Sequence, residues 1–400
     1  MAAGEGHRRV REESISRVEV RTAPVDAGRA VLAIEPFPGI EVLGEWWGSL
    51  ETSAAASFFL QWHWIGAMLA ESKIAPFVLT ARDGGRLIGL GLLKSALRRR
   101  HGGLVRSRTL FLNETGDPAC DNVFIEYNGF LVDRAYGAAL EQRMMAFLAG
   151  SDPASIGLAE WDELRLDGVS QVYHALAVAS GLAVHISATG ATARVDLQAI
   201  SDSGRSYLDG LSANTRQQVR RAARGFGESG ALAIDVAGSV KEAHAFLDAL
   251  AALHQSYWTK RGRPGAFAEP FMARMHRRVI ATALPRGEVE LLHVRAGART
   301  IGYLYNLIHD GWVGAYCSGF AYPDDPKLKP GYVAYMLCIE RHLASGSRVF
   351  DFLAGDDRYK TSLGKSGETL FHLDLQRPRL MLKLEARLRN LRRRMRGPSA

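Results

Sequence analysis

The residues best suited to chemistry lie in one short run near the C-terminus, Val349-Phe-Asp-Phe-Leu-Ala-Gly-Asp-Asp-Arg-Tyr-Lys360. Asp351 falls on the same strand face as Val349 and Leu353, with Phe350 and Phe352 on the other. A carboxylate inside such a strand loses hydration unless it is paired or hydrogen-bonded. Two readings of Asp351 stand level: a site group that orients a substrate amine or a catalytic partner, or a brace paired with a neighbouring arginine. The residues that follow, Gly355, Asp356, Tyr359 and Lys360, tip the balance toward a site. They come after the C-terminal end of a parallel strand, where open α/β sheets tend to bind ligands. Lys360 could neutralise a developing anion or a phosphate.

Three other groups could contribute. His254, Trp258 and Arg261 share a helical stripe with Leu247 and Leu250. Trp258 and His254 could wall a substrate pocket, with His254 as a base; a stripe that merely lines the core is the commoner arrangement. The Gly-rich stretch from Arg261 to Phe267 could close over a ligand. Arg216, Arg220 and Arg224 recur at i+4 and repel by roughly 0.2–0.5 kcal/mol per pair. A bound anion would offset that cost, and a plain solvated face would tolerate it. Pro330-Gly331 opens a helix whose free N–H groups favour anions. No Gly-x-Gly-x-x-Gly loop, P-loop or Gly-x-Ser-x-Gly elbow occurs, and no His/Asp cluster at metal spacing, so no metal is expected.

These groups need elements to hold them. Trp46 to Lys73 reads as helical, and Phe77–Leu93 as a hairpin around Asp83-Gly84-Gly85, followed by a basic loop at Arg98–His101. The hairpin returns: Val78–Leu90 and Leu291–Tyr303 agree at six of thirteen positions, 213 residues apart. Duplication of an α/β unit accounts for this better than chance similarity. In the second half the pattern predicts helices from Ser212 to about Gly227 and from Val240 to Arg261. Strands follow near 289–295, 300–308 and 312–320, then a helix from Gly331 to about Ser345 and a short strand, Val349–Leu353. A strand–helix–strand succession implies a parallel crossover.

Composition narrows the class. The 400 residues are 47% hydrophobic and 23% charged, enough for two cores. Three scattered cysteines favour neither a disulfide framework nor a thiolate zinc site. There is no signal-peptide core and no run of about 18 apolar residues, so a cytoplasmic location is expected. The net charge of +8 is confined to the last 25 residues, which carry nine Lys or Arg and one acid, Glu385. There Leu380, Leu384, Leu388, Leu391 and Met395 line one helical face among arginines. That pattern suits an anionic membrane surface, nucleic acid or an acidic partner, with a docked helix showing a solvated basic face as the plain alternative. The expected organisation is a mobile segment with an edge strand over 1–38, units over 39–195 and 196–375, and a basic helical tail over 376–400.

Three stretches carry a family resemblance. They are Leu211-Ser-Ala-Asn-Thr-Arg-Gln-Gln-Val-Arg-Arg-Ala222, His254-Gln-Ser-Tyr-Trp-Thr-Lys-Arg-Gly262, and Pro330-Gly331 with the 350–360 run. Together they resemble the CelD/BcsL-type acetyltransferases of the GNAT superfamily, related to the Fem peptidyl transferases, over roughly 40–375. The resemblance implies two tandem GNAT-like α/β domains with mixed, largely antiparallel sheets. It implies acyl transfer from acyl-CoA to an amine or hydroxyl, often in cellulose or exopolysaccharide synthesis. Trp312–Phe320 and Val349–Leu353 would splay around the donor, with Tyr316, Gly331, Gly355, Arg216 and Arg220 as donor-binding residues. Asp351, Tyr359, Lys360 and His254 become catalytic candidates, and Trp258, Arg261 and Asp356 acceptor-binding ones. The partners expected are a small-molecule or saccharide acceptor and an anionic membrane surface at the tail, not a specific nucleic acid. The sequence departs from the GNAT pattern by lacking the pyrophosphate loop before Gly331. The Fem alternative, with an aminoacyl-tRNA donor, lacks its helical arm here. A non-catalytic accessory of polysaccharide assembly is the third reading.

Overall fold

The structure is a computed structural model that describes residues 27–123, 125–355 and 357–396, with backbone alone for 390–396. The first half of the chain runs through β1 (Val31–Glu35), α1 (Ile40–Glu51), α2 (Trp62–Ser72), β2 (Phe77–Asp83), β3 (Arg86–Arg100) and β4 (Val105–Leu112). It continues through α3 (Pro118–Asp121), β5 (Leu131–Val132), α4 (Gly137–Gly150), β6 (Glu163–Val169), α5 (Gln171–Ala179) and β7 (Ala183–Asp196). After the short α6 (Leu197–Ser203), the second half runs through α7 (Ala213–Gly227), β8 (Leu232–Val236), α8 (Val240–Thr259), α9 (Pro270–Ala283), β9 (Val289–Ala296), β10 (Arg299–His309) and β11 (Trp312–Phe320). It ends with α10 (Pro330–Ala344), β12 (Val349–Ala354), α11 (Arg358–Leu363), β13 (Lys365–Gln376) and α12 (Leu380–Arg396).

The local signals explain the best-matched elements. Ser212 caps α7 by accepting from the Thr215 N–H, and Ser239 caps α8 through Glu242. Gly84 and Gly85, both at positive φ, turn β2 into β3. The predicted Trp46–Lys73 helix is in fact two helices broken between Glu51 and Trp62. The Glu51 carboxylate accepts from the Trp62 N–H at 2.8 Å and so starts the second. The early segment holds the expected edge strand, β1, paired with β2; residues 1–26 lie outside the described ones.

The strands form one sheet rather than two, in the order β1-β2-β3-β4-β6-β13-β7-β12-β11-β10-β9-β8, with β5 beside β3. Among the described strands, only β4/β6 and β11/β12 pair in parallel; the remaining strand pairs are antiparallel. The order reads as one five-strand succession met twice from opposite ends, with the two duplicated hairpins in matching places. The centre is exchanged. β13, from the end of the chain, lies against β6, whereas β7, from the first half, lies against β12. β7 and β13 pair with each other along nearly their full length.

Among the described residues, three apolar cores cover the sheet. One holds α4 and α5 against the first half, and one holds α7 and α10 against the second. The third joins α1 and α2 to α8 and α9. The predicted basic loop at Arg98–His101 belongs mostly to β3. Arg100 bonds Glu163 and Glu385, and Arg98 bonds Asp374 at 2.6 Å. These arginines continue the strand because buried acids neutralise them.

Candidate active site

β11 and β12 pair only from Trp312↔Val349 to Gly314↔Asp351 and then part. Both strands bend at that point. On β11, Tyr316 is the extra residue of a bulge opposite Tyr305 and Asn306, which turns the strand. On β12, Leu353 sits at φ 60° and Gly355 at φ 144°. The gap opens into a cavity of about 450 Å3 lined by both halves of the chain. That volume suits a small ligand or the arm of a larger one.

At the neck of the gap two charged residues grip the Ala354 peptide. Glu126, from the first half, accepts the Ala354 N–H at 2.9 Å. Lys360, on α11, donates from Nζ to the Ala354 carbonyl at 2.6 Å. A Cβ at residue 355 would lie 2.7 Å from Lys360 Nζ and push that amine aside, and the φ of this residue itself favours glycine. Burial pushes the Glu126 carboxyl up to about 7, against the lowering pull of the Ala354 bond and the Lys360 charge. Glu126 was not singled out from sequence. Its stretch carries no motif, and its partners come from β12, over 200 residues away.

Other predicted residues join this cavity in different ways. Tyr359 lines it and stacks on Tyr335 with ring centroids 5.5 Å apart. Tyr316 lines the floor, its hydroxyl held by the Val123 carbonyl and by His276 Nε2 at 3.1 Å. Trp258 and His254 form part of the wall. His254 shares Nδ1 with the Ser318 carbonyl at 3.1 Å, and its Nε2 accepts the Ala266 N–H at 3.2 Å. Both ring nitrogens are engaged and burial lowers the pKa, so His254 fastens the Gly-rich loop to β11 and is not poised as a base. Cys317 also faces the cavity, but burial pushes its thiol up to about 12, which withholds the thiolate needed for nucleophilic attack.

Several candidates lie elsewhere. Asp351 accepts bonds from the Tyr127 hydroxyl, the Leu353 N–H at 2.8 Å and the Trp312 indole at 3.3 Å. It borders a second cavity of about 670 Å3 between the halves, next to Arg194 and Glu368. Arg216 pairs with Asp209 at 3.7 Å, and Arg220 is exposed; neither borders the Lys360 cavity, so no arginine of α7 faces that lysine. Arg261 stacks over the Tyr257 ring at 3.5 Å outside the lining. Gly331 packs on Phe320, and its helix start is likewise outside the lining. Asp356 lies outside the described residues.

A buried trio, Glu290, Cys338 and His342, brings its donor atoms within 4.8 Å of one another. It is closed by hydrogen bonds, with His342 Nε2 at 2.6 Å from Glu290 and Asn306 Nδ2 bonded to Glu290 and Cys338.

Among solved structures, FemX superposes with a TM-score of 0.56 at 10% identity, over 85% of this chain and 98% of the other. L-PGS from Bacillus licheniformis gives 0.52 at 11%, over 88% and 96%. A DUF2156 domain from Agrobacterium fabrum, ascribed to a lysylphosphatidylglycerol synthetase, gives 0.51 at 13%, over 87% and 95%. Comparison with curated protein sequences returns no match. The chain therefore has an α/β fold shared with these proteins, and its residues 213–361, from the first turn of α7 into α11, match the family described as acetyltransferase (GNAT) domain.

Proposed function

We propose that this chain is an acyltransferase that moves an acyl group from an acyl-CoA thioester to an amine or hydroxyl of a polar acceptor. The observation that carries the reading is the parting of β11 from β12 over a cavity with Glu126 and Lys360 at its neck. The free edge of β11 can hold the thioester arm and fix its carbonyl. The acceptor nitrogen or oxygen attacks that carbonyl and gives its proton to Glu126. The C–S bond then breaks, and Glu126 returns that proton to the departing sulfur, which leaves as the free thiol. Lys360 holds the end of β12 and supplies positive charge beside the collapsing oxyanion. The neighbouring Trp258 and Tyr322 offer aromatic surface that suits a saccharide. This agrees with the CelD/BcsL likeness and with a role in polysaccharide assembly. With acyl-CoA as donor, the reaction belongs to the cytoplasm.

One observation favours a second donor. The start of α10 has no glycine loop, and Gly331 stands apart from the cavity, which leaves the pyrophosphate of a CoA without its usual seat. FemX, and a relative ascribed to lysylphosphatidylglycerol synthesis, suit transfer of an aminoacyl group instead. Calorimetric titration with acetyl-CoA and longer acyl-CoAs, beside a transfer assay with charged tRNA, separates the two. Acyl-CoA binding supports the first reading. Its failure together with aminoacyl transfer overturns it. If Lys360→Ala leaves every cellular phenotype intact, the non-catalytic reading takes precedence.

A further inference from the structure

α12 docks on the body by an unexpected face. Leu382 and Glu385 are buried against it, while Leu380, Met381, Leu384 and Leu388 are 72%, 47%, 44% and 59% exposed. The Glu385 carboxylate is held by Arg100 at 3.0 Å, by His101 at 3.0 Å and by Arg389 at 3.2 Å. The leucine stripe visible in the sequence therefore points outward over its described part. Glu385 is the lone acid among the last 25 residues. With it turned inward, the outer face carries leucines together with exposed Lys383 and Arg387 and no negative charge. Leu104, 78% exposed, stands on the same hairpin turn as His101 and adds apolar surface beside the helix.

Several leucines on one helix face are not held in water without a partner. A second copy of the helix would bring cation against cation. A nucleic acid would meet the cations and leave the leucines wet. An anionic bilayer satisfies both sets at once: apolar side chains enter the boundary between headgroups and acyl chains, and lysine and arginine meet lipid phosphates. No described helix is long and apolar enough to cross a membrane. We propose that α12 lies flat on an anionic bilayer, inserting Leu380, Leu384 and Leu388 and pairing Lys383 and Arg387 with lipid phosphate. This rests on the helix alone and is independent of the acyl-donor reading.

The test is co-sedimentation of the full chain with vesicles of phosphatidylcholine alone or mixed with phosphatidylglycerol. Binding to the mixed vesicles, weakened by salt and absent with phosphatidylcholine, is the expected result. Leu384→Glu/Leu388→Glu and Lys383→Glu/Arg387→Glu should each weaken it about tenfold or more, with unchanged thermal melts and unchanged circular dichroism. Failure to bind anionic vesicles at low salt overturns the proposal. So does undiminished binding by the leucine variant, which would mean charge attraction without insertion. Equally fatal is a dimer in sedimentation velocity that the leucine variant dissolves, or RNA binding that both variants abolish without any vesicle binding.

Discussion

Glu126 sits at the point where chemistry and electrostatics meet. Its carboxyl is pushed up to about 7 by burial, so below that pH it keeps its proton and cannot accept another. Transfer should rise with pH through about 7 and level above it. Glu126→Gln should lower kcat by about 10²–10⁴-fold and flatten that profile, measured in the acyl-transfer assay. The same shift has a stability consequence of opposite sense. Between the usual carboxylate range and about 7 the folded chain holds a proton that the unfolded chain has released, so stability falls as pH rises through that window. Glu126→Gln should therefore unfold at a higher temperature than the native chain above pH 7. Asp351 belongs to a different category: with three hydrogen-bond donors around it and a cavity of its own, it braces the join between halves. Asp351→Asn should cost about 1–3 kcal/mol in denaturant unfolding and leave donor affinity unchanged in calorimetry.

At the scale of elements, the end of β12 is the part that must be shaped correctly. Gly355 allows the backbone to turn and allows Lys360 to reach the Ala354 carbonyl. Gly355→Ala should destabilise the fold by about 1–3 kcal/mol through backbone strain. It should also weaken donor binding, because Lys360 is displaced from the neck; thermal unfolding and calorimetry report the two effects separately. β3 makes a second case. Arg100 binds two buried carboxylates, Glu163 and Glu385, and so ties α12 to the sheet. Arg100→Ala takes the shared guanidinium from both acids, leaving Glu385 to His101 and Arg389 and Glu163 to Ser107, Gln376 and the more distant Arg98, and should cost about 3 kcal/mol in equilibrium unfolding.

At the scale of the molecule, the exchange of β7 and β13 makes each half depend on the other. The second half borrows β7 to cover β12, and the first borrows β13 to cover β6. The cavity depends on this arrangement as well, since Glu126 comes from one half and Lys360 from the other. Residues 197–400 expressed alone would lack β7 and leave the edge of β12 bare. They should be aggregated or poorly folded by circular dichroism and gel filtration, and co-expression with 1–196 should restore a soluble complex.

The sequence by itself determined what local forces control. The caps at Ser212 and Ser239, the Gly84-Gly85 turn and the alternation through 289–320 are written in neighbouring residues, and those elements lie where the pattern puts them. The repeated hairpin made the two-fold build legible for the same reason. Lys360 and Gly355 were visible because they share one short run. Tertiary structure alone decided the rest. Which strand covers β12, that arginines at 98 and 100 face buried acids, that Asp351 looks away from Lys360, and that Glu126 closes the site all depend on pairs far apart in the chain. Nothing in a single sequence encodes such a pair locally, because burial and charge pairing arise only after distant strands meet.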